Sequence, residues 1–391
     1  MNLDIPLSLY IHFPWCVKKC PYCDFNSHSQ RGELPERAYV DALIQDFRQQ
    51  LTTLGERKIE TIFMGGGTPS LISPKEIARL LTSIQTSGQL KADAEITLEA
   101  NPGALDEGHL SGYRQAGVNR VSIGVQSFDD NLLQKIGRIH SASNAVNAVK
   151  LAKQAGFERI NLDLMYGLPE QSLQGARDDL EQVFALDTEH LSVYQLTIEP
   201  NTEFAARTPI LPTSDQYWQM HEQTQQLTQQ AGFEQYEVSA YSRGGKEAQC
   251  KHNVNYWQFG DYLAIGAGAH GKLSGVDEEG VLQIKRYWNQ RHPKAYLAAA
   301  ETGAFSAETK TVLPAEHDFE FLMNALRLKQ GFIESQYLAR TQGNISGLMS
   351  LLKPFFEKGW LIQTDKQIYA STEGYRYLDS ILMACLPEVS E

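Results

Sequence analysis

The stretch Leu7-Ser8-Leu9-Tyr10-Ile11-His12-Phe13-Pro14-Trp15-Cys16-Val17-Lys18-Lys19-Cys20-Pro21-Tyr22-Cys23 joins two unlike patterns at Pro14. Its first half is a short apolar run of strand length; its second half carries three cysteines within eight residues. In strand–helix barrels the chemically active residues gather where strands end, so a thiol-rich loop directly after a strand has the right placement for a site. Downstream, Tyr39, Leu43, Phe47, Leu51 and Leu54 recur at helical spacing. The alternation then repeats, with β-branched apolar runs at 61–64, 95–100, 120–125, 160–165 and 191–197, near-continuous as in parallel strands covered on their outer face. Ser73-Pro74-Lys75-Glu76 predicts a helix start, and Ala116-Gly117 and Ala155-Gly156 predict helix ends. Six such units predict an α/β fold built on an incomplete (β/α)6 TIM-like barrel, with a further strand at 236–241.

Three segments follow from the change of pattern. Residues 1–242 form the partial barrel, and 243–310 form a less periodic extension with Gly-rich runs. Residues 311–391 form a C-terminal winged-helix-like module, with helical periods at 315–329, 333–341 and 345–358, short strands at 361–364 and 367–370, and a last helix at 372–384. That module holds 7 Lys and Arg against 10 Asp and Glu, and the whole chain has a formal net charge of −12, so neither offers the basic surface that nucleic acid requires. The N-terminus has no basic region leading into a long apolar run, and nothing approaches the length of a membrane span, so a cytoplasmic protein is expected. Five cysteines in 391 residues are too few for a disulfide framework, and their clustering points to metal or redox chemistry.

Cys-x3-Cys-x2-Cys supplies three thiolates from one loop. A four-iron cubane held by three cysteines keeps one iron free of protein ligands, and an amino acid with free amine and carboxylate can chelate it. Structural zinc is the other common use of clustered cysteines; it needs a fourth ligand, which His12 or His28 could supply. Further along, Gly65-Gly66-Gly67-Thr68-Pro69 follows the second strand, where backbone free of side chains can come close to a ligand. Glu99, Gln126 and Asp163 stand at or near the ends of the third, fourth and fifth strands, and Arg138 follows in a loop. Each is also an ordinary strand-end hydrogen-bonding group when taken singly.

The cysteine motif resembles the signature of the radical SAM superfamily, and Tyr10-Ile11-His12-Phe13-Pro14 resembles its branch containing the oxygen-independent coproporphyrinogen III dehydrogenases. The likeness covers nearly the whole chain. It implies a [4Fe-4S] cluster on Cys16, Cys20 and Cys23 and S-adenosyl-L-methionine (SAM) bound beside it. Gly66, Gly67 and Thr68 would take the methionine amino group, Tyr22 would pack on adenine and Tyr10 would contact SAM near the cluster. Glu99, Gln126, Arg138 and Asp163 match the remaining SAM positions, with Arg138 suited to a carboxylate fork.

Two departures from that branch stand out. Phe25 occupies the position where the dehydrogenases carry a further cysteine, and the N-terminal extension that precedes the first strand in those enzymes is not expected here. Cys250-Lys251-His252-Asn253-Val254-Asn255-Tyr256-Trp257 instead matches HNxxYW, the signature of the radical SAM heme chaperones of the HemW family. The resemblance implies haem as cargo, with His252, Asn253, Tyr256 and Trp257 as its binding candidates, although a histidine among aromatics is commonly a packing residue. It further implies acceptor hemoproteins, including respiratory, membrane-associated ones, and an electron donor such as flavodoxin or ferredoxin. The rival expectations are a coproporphyrinogen oxidoreductase, disfavoured by Phe25, and a radical SAM enzyme acting on another substrate.

Overall fold

The computed structural model describes residues 4–387. Strands β1 (Leu7–Phe13), β2 (Ile59–Gly66), β3 (Leu90–Ala100), β4 (Arg120–Gln126), β5 (Arg159–Tyr166) and β6 (His190–Gln195) pair in parallel in that order. Helices α1 (Glu36–Leu51), α2 (Pro74–Thr86), α3 (Glu107–Gln115), α4 (Ala142–Gln154), α5 (Leu173–Ala185) and α6 (Ser214–Gln230) connect or follow them. This is the TIM-like α/β fold that the six-unit pattern predicts. Its main core is formed by Leu9, Ile11, Leu43, Phe47, Ile62, Leu80, Ile123 and their neighbours. Each aliphatic side chain buried there stabilises the fold by about 1.5–3 kcal/mol.

Local chemistry explains the helix boundaries. Pro74 opens α2, but the Ser73 hydroxyl does not cap it; that hydroxyl and the Ser73 N–H both donate to the Glu36 carboxylate on α1 (3.1 and 2.8 Å). Ser141 with Asn144, and Thr213 with Gln216, form reciprocal capping boxes at the starts of α4 and α6. Gly117 and Gly156 follow α3 and α4 at φ +107° and +83°, a conformation open to glycine.

The expected strand at 236–241 is instead two short pieces, β7 (Glu234–Gln235) and β8 (Ala240–Ser242), with β8 antiparallel to β6. The interruption has a cause: Glu237 turns inward, accepts the Ser239 N–H (3.1 Å) and approaches Arg327 (3.7 Å). The region after 243 also continues the same sheet. Strand β9 (Asp261–Ile265) pairs in parallel with β1, and β10 (His270–Val276), β11 (Leu282–Asn289) and β12 (Ser306–Val312) extend the edge antiparallel. The sheet order is β12-β11-β10-β9-β1-β2-β3-β4-β5-β6-β8-β7. Gly266 makes the β9–β1 contact possible, because a Cβ there would lie 2.4 Å from the His12 carbonyl oxygen.

Helix α7 (Lys251–Trp257) lies across one row of this sheet, in which Ser8 pairs with Thr61 and Thr61 with Glu95. Beyond the sheet, α8 (His317–Ala325), α9 (Glu334–Thr341) and α10 (Ile345–Glu357) precede a hairpin of β13 (Leu361–Gln363) and β14 (Ile368–Ala370). The expected last helix is split at Tyr377 into α11 (Thr372–Arg376) and α12 (Leu378–Ala384). These elements share a second core around Phe321, Phe332, Tyr337, Leu348 and Leu352, which Phe259, Leu282 and Ile284 join. No described helix is long and apolar enough to cross a membrane.

Candidate functional site

The cysteine loop folds back on itself: the His28 N–H donates to the Pro14 carbonyl (2.7 Å), and the Gln30 N–H to that of Cys16 (2.8 Å). The loop is also tied to the end of β2. The Gly67 N–H donates to Phe13 O and the Thr68 N–H to Trp15 O, both at 2.7 Å. A Cβ on Gly66 (φ +109°) would strike the His12 ring at 2.4 Å, and one on Gly67 would strike Trp15 O at 2.5 Å. The glycines therefore let two strand ends press together, which brings Cys16, Cys20 and Cys23 to one wall of a cavity of about 620 Å³ at the mouth of the sheet.

The donor set fits a cluster of several irons. Burial raises the Cys16 and Cys23 thiols above their usual range, and the neighbouring thiols add to the rise. Crowded thiols of this kind ionise when cations are there to share them. Neither candidate fourth ligand for zinc lines the thiol cavity. His12 is held by Tyr10 OH (Nδ1, 3.0 Å) and Asn26 O (Nε2, 2.9 Å), and His28 packs edge-on against His292. Among the described residues no three His, Cys, Asp or Glu side chains converge on a single-ion site.

The same cavity is lined by Tyr22, Gly66, Gly67, Thr68, Glu99, Gln126, Arg138, Asp163 and Asn253. Glu99 accepts the Gly66 N–H (3.1 Å); desolvation, with the Asp163 carboxylate second, pushes its pKa up to about 8. Asp163 is also raised, chiefly by burial, while Asn161 (2.7 Å) and Ser122 (3.0 Å) hydrogen-bond to it. A buried carboxyl whose protonation a second carboxyl pushes further upward marks a place suited to a cation. Arg138 departs from the carboxylate fork expected of it. One arm donates to Gly124 O (2.6 Å) and the other approaches Cys20 Sγ (3.7 Å), so the guanidinium stands against the thiol loop. Gly124 leaves room for this, since a Cβ there would lie 3.1 Å from both Arg138 Nη2 and Gln126 Nε2. Tyr10 lies outside this lining, stacked on Phe63 with ring centroids 6.5 Å apart.

Several cavity residues escaped the sequence reading. Arg120 and Ser122 on β4, Asn161 on β5 beside the expected Asp163, and Ser192 and Tyr194 on β6 all line the mouth cavity. They form a polar network in which Asn161 Oδ1 accepts from Ser192 Oγ (3.0 Å) and meets His190 Nδ1 (2.6 Å). The signal was their period of two on three successive strands, hidden inside runs read as continuously apolar.

The HNxxYW residues divide. His252 is 1% exposed and does not face a ligand: Nδ1 meets Thr61 Oγ1 (2.8 Å) and Nε2 meets Tyr256 OH (2.9 Å). Both ring nitrogens are engaged in hydrogen bonds, so the folded imidazole, a haem-binding candidate by its motif, is turned into the sheet and lines neither cavity. Asn253 faces the mouth cavity. Tyr256 and Trp257 line a second cavity of about 760 Å³, together with Tyr10, and this cavity adjoins the first through Asp24, Phe25, Gly66 and Glu99.

A parallel sheet of this topology, with a three-cysteine loop at its first strand and paired acids across the mouth, defines a protein of the radical SAM class. The family described as the Radical SAM superfamily matches residues 10–183. Heme chaperone HemW of Haemophilus influenzae is 46% identical over 387 residues, covering 98% of each chain, and Heme chaperone HemW of Escherichia coli is 44% identical over 383 residues, covering 98% of this chain and 99% of its own. The coproporphyrinogen III oxidase HemN of Escherichia coli, described as a radical SAM enzyme, superposes with a TM-score of 0.82 at 24% identity, covering 98% of this chain and 91% of its own, a likeness of fold. The chain belongs to the HemW family of radical SAM proteins.

Proposed function

We propose that this protein is a heme chaperone: it binds a [4Fe-4S] cluster on Cys16, Cys20 and Cys23, SAM across the mouth cavity, and haem in the adjoining one, and passes haem to acceptor hemoproteins. The observation that carries the reading is the pair of connected cavities. One is lined by thiols and carboxyls, the other by aromatic rings and arginines. When bound, the cluster would offer SAM an iron corner and supply an electron to its sulfonium. The chain's own residues do the rest. Glu99, held by Gly66, would orient the ammonium end, while Asp163 would accept from the polar groups of the nucleoside. Tyr22 would cover the adenine, and Gly66, Gly67 and Thr68 would hold the methionine end against the loop. Arg138 would offset negative charge on the thiolates. A flavodoxin or ferredoxin would reach the cluster past the exposed Val17, Lys18 and Lys19, with the cytoplasm as the place of work.

The test is to reconstitute the full chain anaerobically, load it with haem and mix it with an apo-hemoprotein. Transfer of haem, followed by the acceptor's absorbance, is the expected outcome. Haem that never binds, or that coproporphyrinogen turnover replaces, would overturn the reading.

A further inference from the structure

The second cavity contains a histidine that no motif marks. Strands β10 and β11 form an antiparallel ribbon in which His270 pairs with Trp288 and Lys272 with Arg286. Positions two apart on a strand share a face, so these four side chains stand on one side of the ribbon, and all four line the cavity. Lys272 is committed to Asp261 (3.0 Å) and buried. His270 is exposed and lies flat beside the Trp288 ring, with centroids 5.7 Å apart and planes 21° from parallel.

Two histidines line this cavity, His12 and His270. His12 has both nitrogens bonded. Among the described residues no hydrogen bond or ion pair occupies the ring of His270, in contrast to His12 and His252. Desolvation, with Arg286 and Arg291 nearby, lowers its pKa, which keeps the imidazole neutral and its lone pair available to a metal. Arg291 is exposed at the cavity wall; Arg286 faces the same space while also holding Tyr262 OH (3.1 Å) and Glu320. Phe25, 63% exposed, presents a further aromatic ring where this cavity meets the mouth.

A neutral imidazole with open nitrogens, flat aromatic walls and two guanidiniums make the set of contacts that a dianionic metal macrocycle needs. We propose that haem seats against the β10–β11 ribbon with His270 as its axial ligand and its carboxylates toward Arg291 and Arg286, while His252 is a buried structural residue. This rests on the proposed haem-binding function and names the residues that carry it. The turn before His270 is built for the role. A Cβ on Gly268 would lie 2.3 Å from Asn26 Nδ2, and that amide donates to Ala267 O (2.9 Å) and Arg291 O (2.8 Å). One residue of the cysteine loop thus fixes the turn carrying His270 and the backbone of Arg291.

The experiment is an anaerobic haem titration of the full-length reconstituted protein, comparing native, His270→Gly, His270→Ala, His252→Gln and Arg291→Ala, with circular dichroism on each. Native protein is expected to bind one haem per chain. His270→Ala should shift the Soret band and weaken binding by about 10-fold or more. Added imidazole should restore the native spectrum to His270→Gly, a rescue that a merely structural histidine would not permit. Arg291→Ala should weaken binding without moving the band, and folded His252→Gln should keep the native spectrum. An unchanged Soret band and affinity in both His270 variants would overturn the assignment, as would loss of the native spectrum in folded His252→Gln. Absence of haem binding by native protein would instead overturn the proposed function beneath it.

Discussion

The mouth cavity and the ribbon cavity meet at Asp24, Phe25, Gly66 and Glu99, yet they are lined by opposite chemistry. The mouth gathers thiols and two carboxyls whose protonation is pushed up chiefly by burial, with Arg120 and Arg138 among them as cationic groups. The ribbon cavity gathers rings, an open imidazole and guanidiniums, an environment suited to a flat anion. Their histidines differ in the same way. His252, beneath the strands that form the mouth, is locked by two hydroxyls; His270, on the antiparallel β10–β11 ribbon and exposed, is free to accept a metal. The lesson is that a polar residue buried under the sheet is satisfied by its neighbours, whereas an exposed one facing a cavity keeps its bonding capacity for a ligand.

The division between cavities can be broken most forcefully at the cysteines. A triple Cys16, Cys20 and Cys23→Ala variant should lose all cluster iron in an iron and sulfide assay, yet take up haem. If it stays folded and fails to bind haem, the cavities are not separate. Next in size is His252→Ala, which leaves the Thr61 and Tyr256 hydroxyls facing a void. About 2–4 kcal/mol of stability should be lost in urea unfolding, with haem binding retained. The sign of its acid dependence also follows. Its folded pKa, lowered to about 3 by burial and Arg120, lies below the unfolded value near 6.5. The unfolded chain alone takes up this proton between those limits, so stability is lost as pH falls through that window. Removing the ring should flatten this part of the acid limb.

Glu99→Gln sharpens the mouth side. The carboxyl is raised to about 8 in the folded chain against about 4.5 unfolded, so it favours the folded state at low pH and opposes it as pH rises through that interval. In the SAM-free protein Tm should increase for Glu99→Gln at pH 8 but not at pH 4, and the native protein should gain more from added SAM than the variant does. Equal SAM gains would remove Glu99 from the site. The smallest expected effect is that of Asn26→Ala, which loosens the link between loop and ribbon. Loss of hydrogen bonding worth about 1 kcal/mol should weaken haem binding roughly fivefold and leave iron content unchanged.

The parallel strands and the cysteine loop were legible because each is written in contiguous chain: an apolar run, a proline, then thiols. The polar inner face was hidden, since Arg120, Ser122, Asn161 and Ser192 sit at alternate positions inside runs dominated by Val, Ile and Leu. The extension from β9 to β12 was obscure for another reason. β9 pairs with β1 from the far side of the chain, and local periodicity carries no record of a non-local edge. His252 was conspicuous through its motif, yet the fold gives it the ordinary fate of a histidine among hydroxyls. His270, after an unremarkable glycine-rich run, stood out only once Trp288 and Arg286 were placed across from it.

Two separate cavities should hold their two ligands at the same time. Reconstituted, reduced protein should be titrated with haem in the presence and absence of saturating SAM, following the Soret band and the cluster's electron paramagnetic resonance signal together. The expected result is a resonance signal changed by SAM, with one haem bound per chain at the same Soret position either way. A signal indifferent to SAM, or haem displaced as SAM binds, would contradict it.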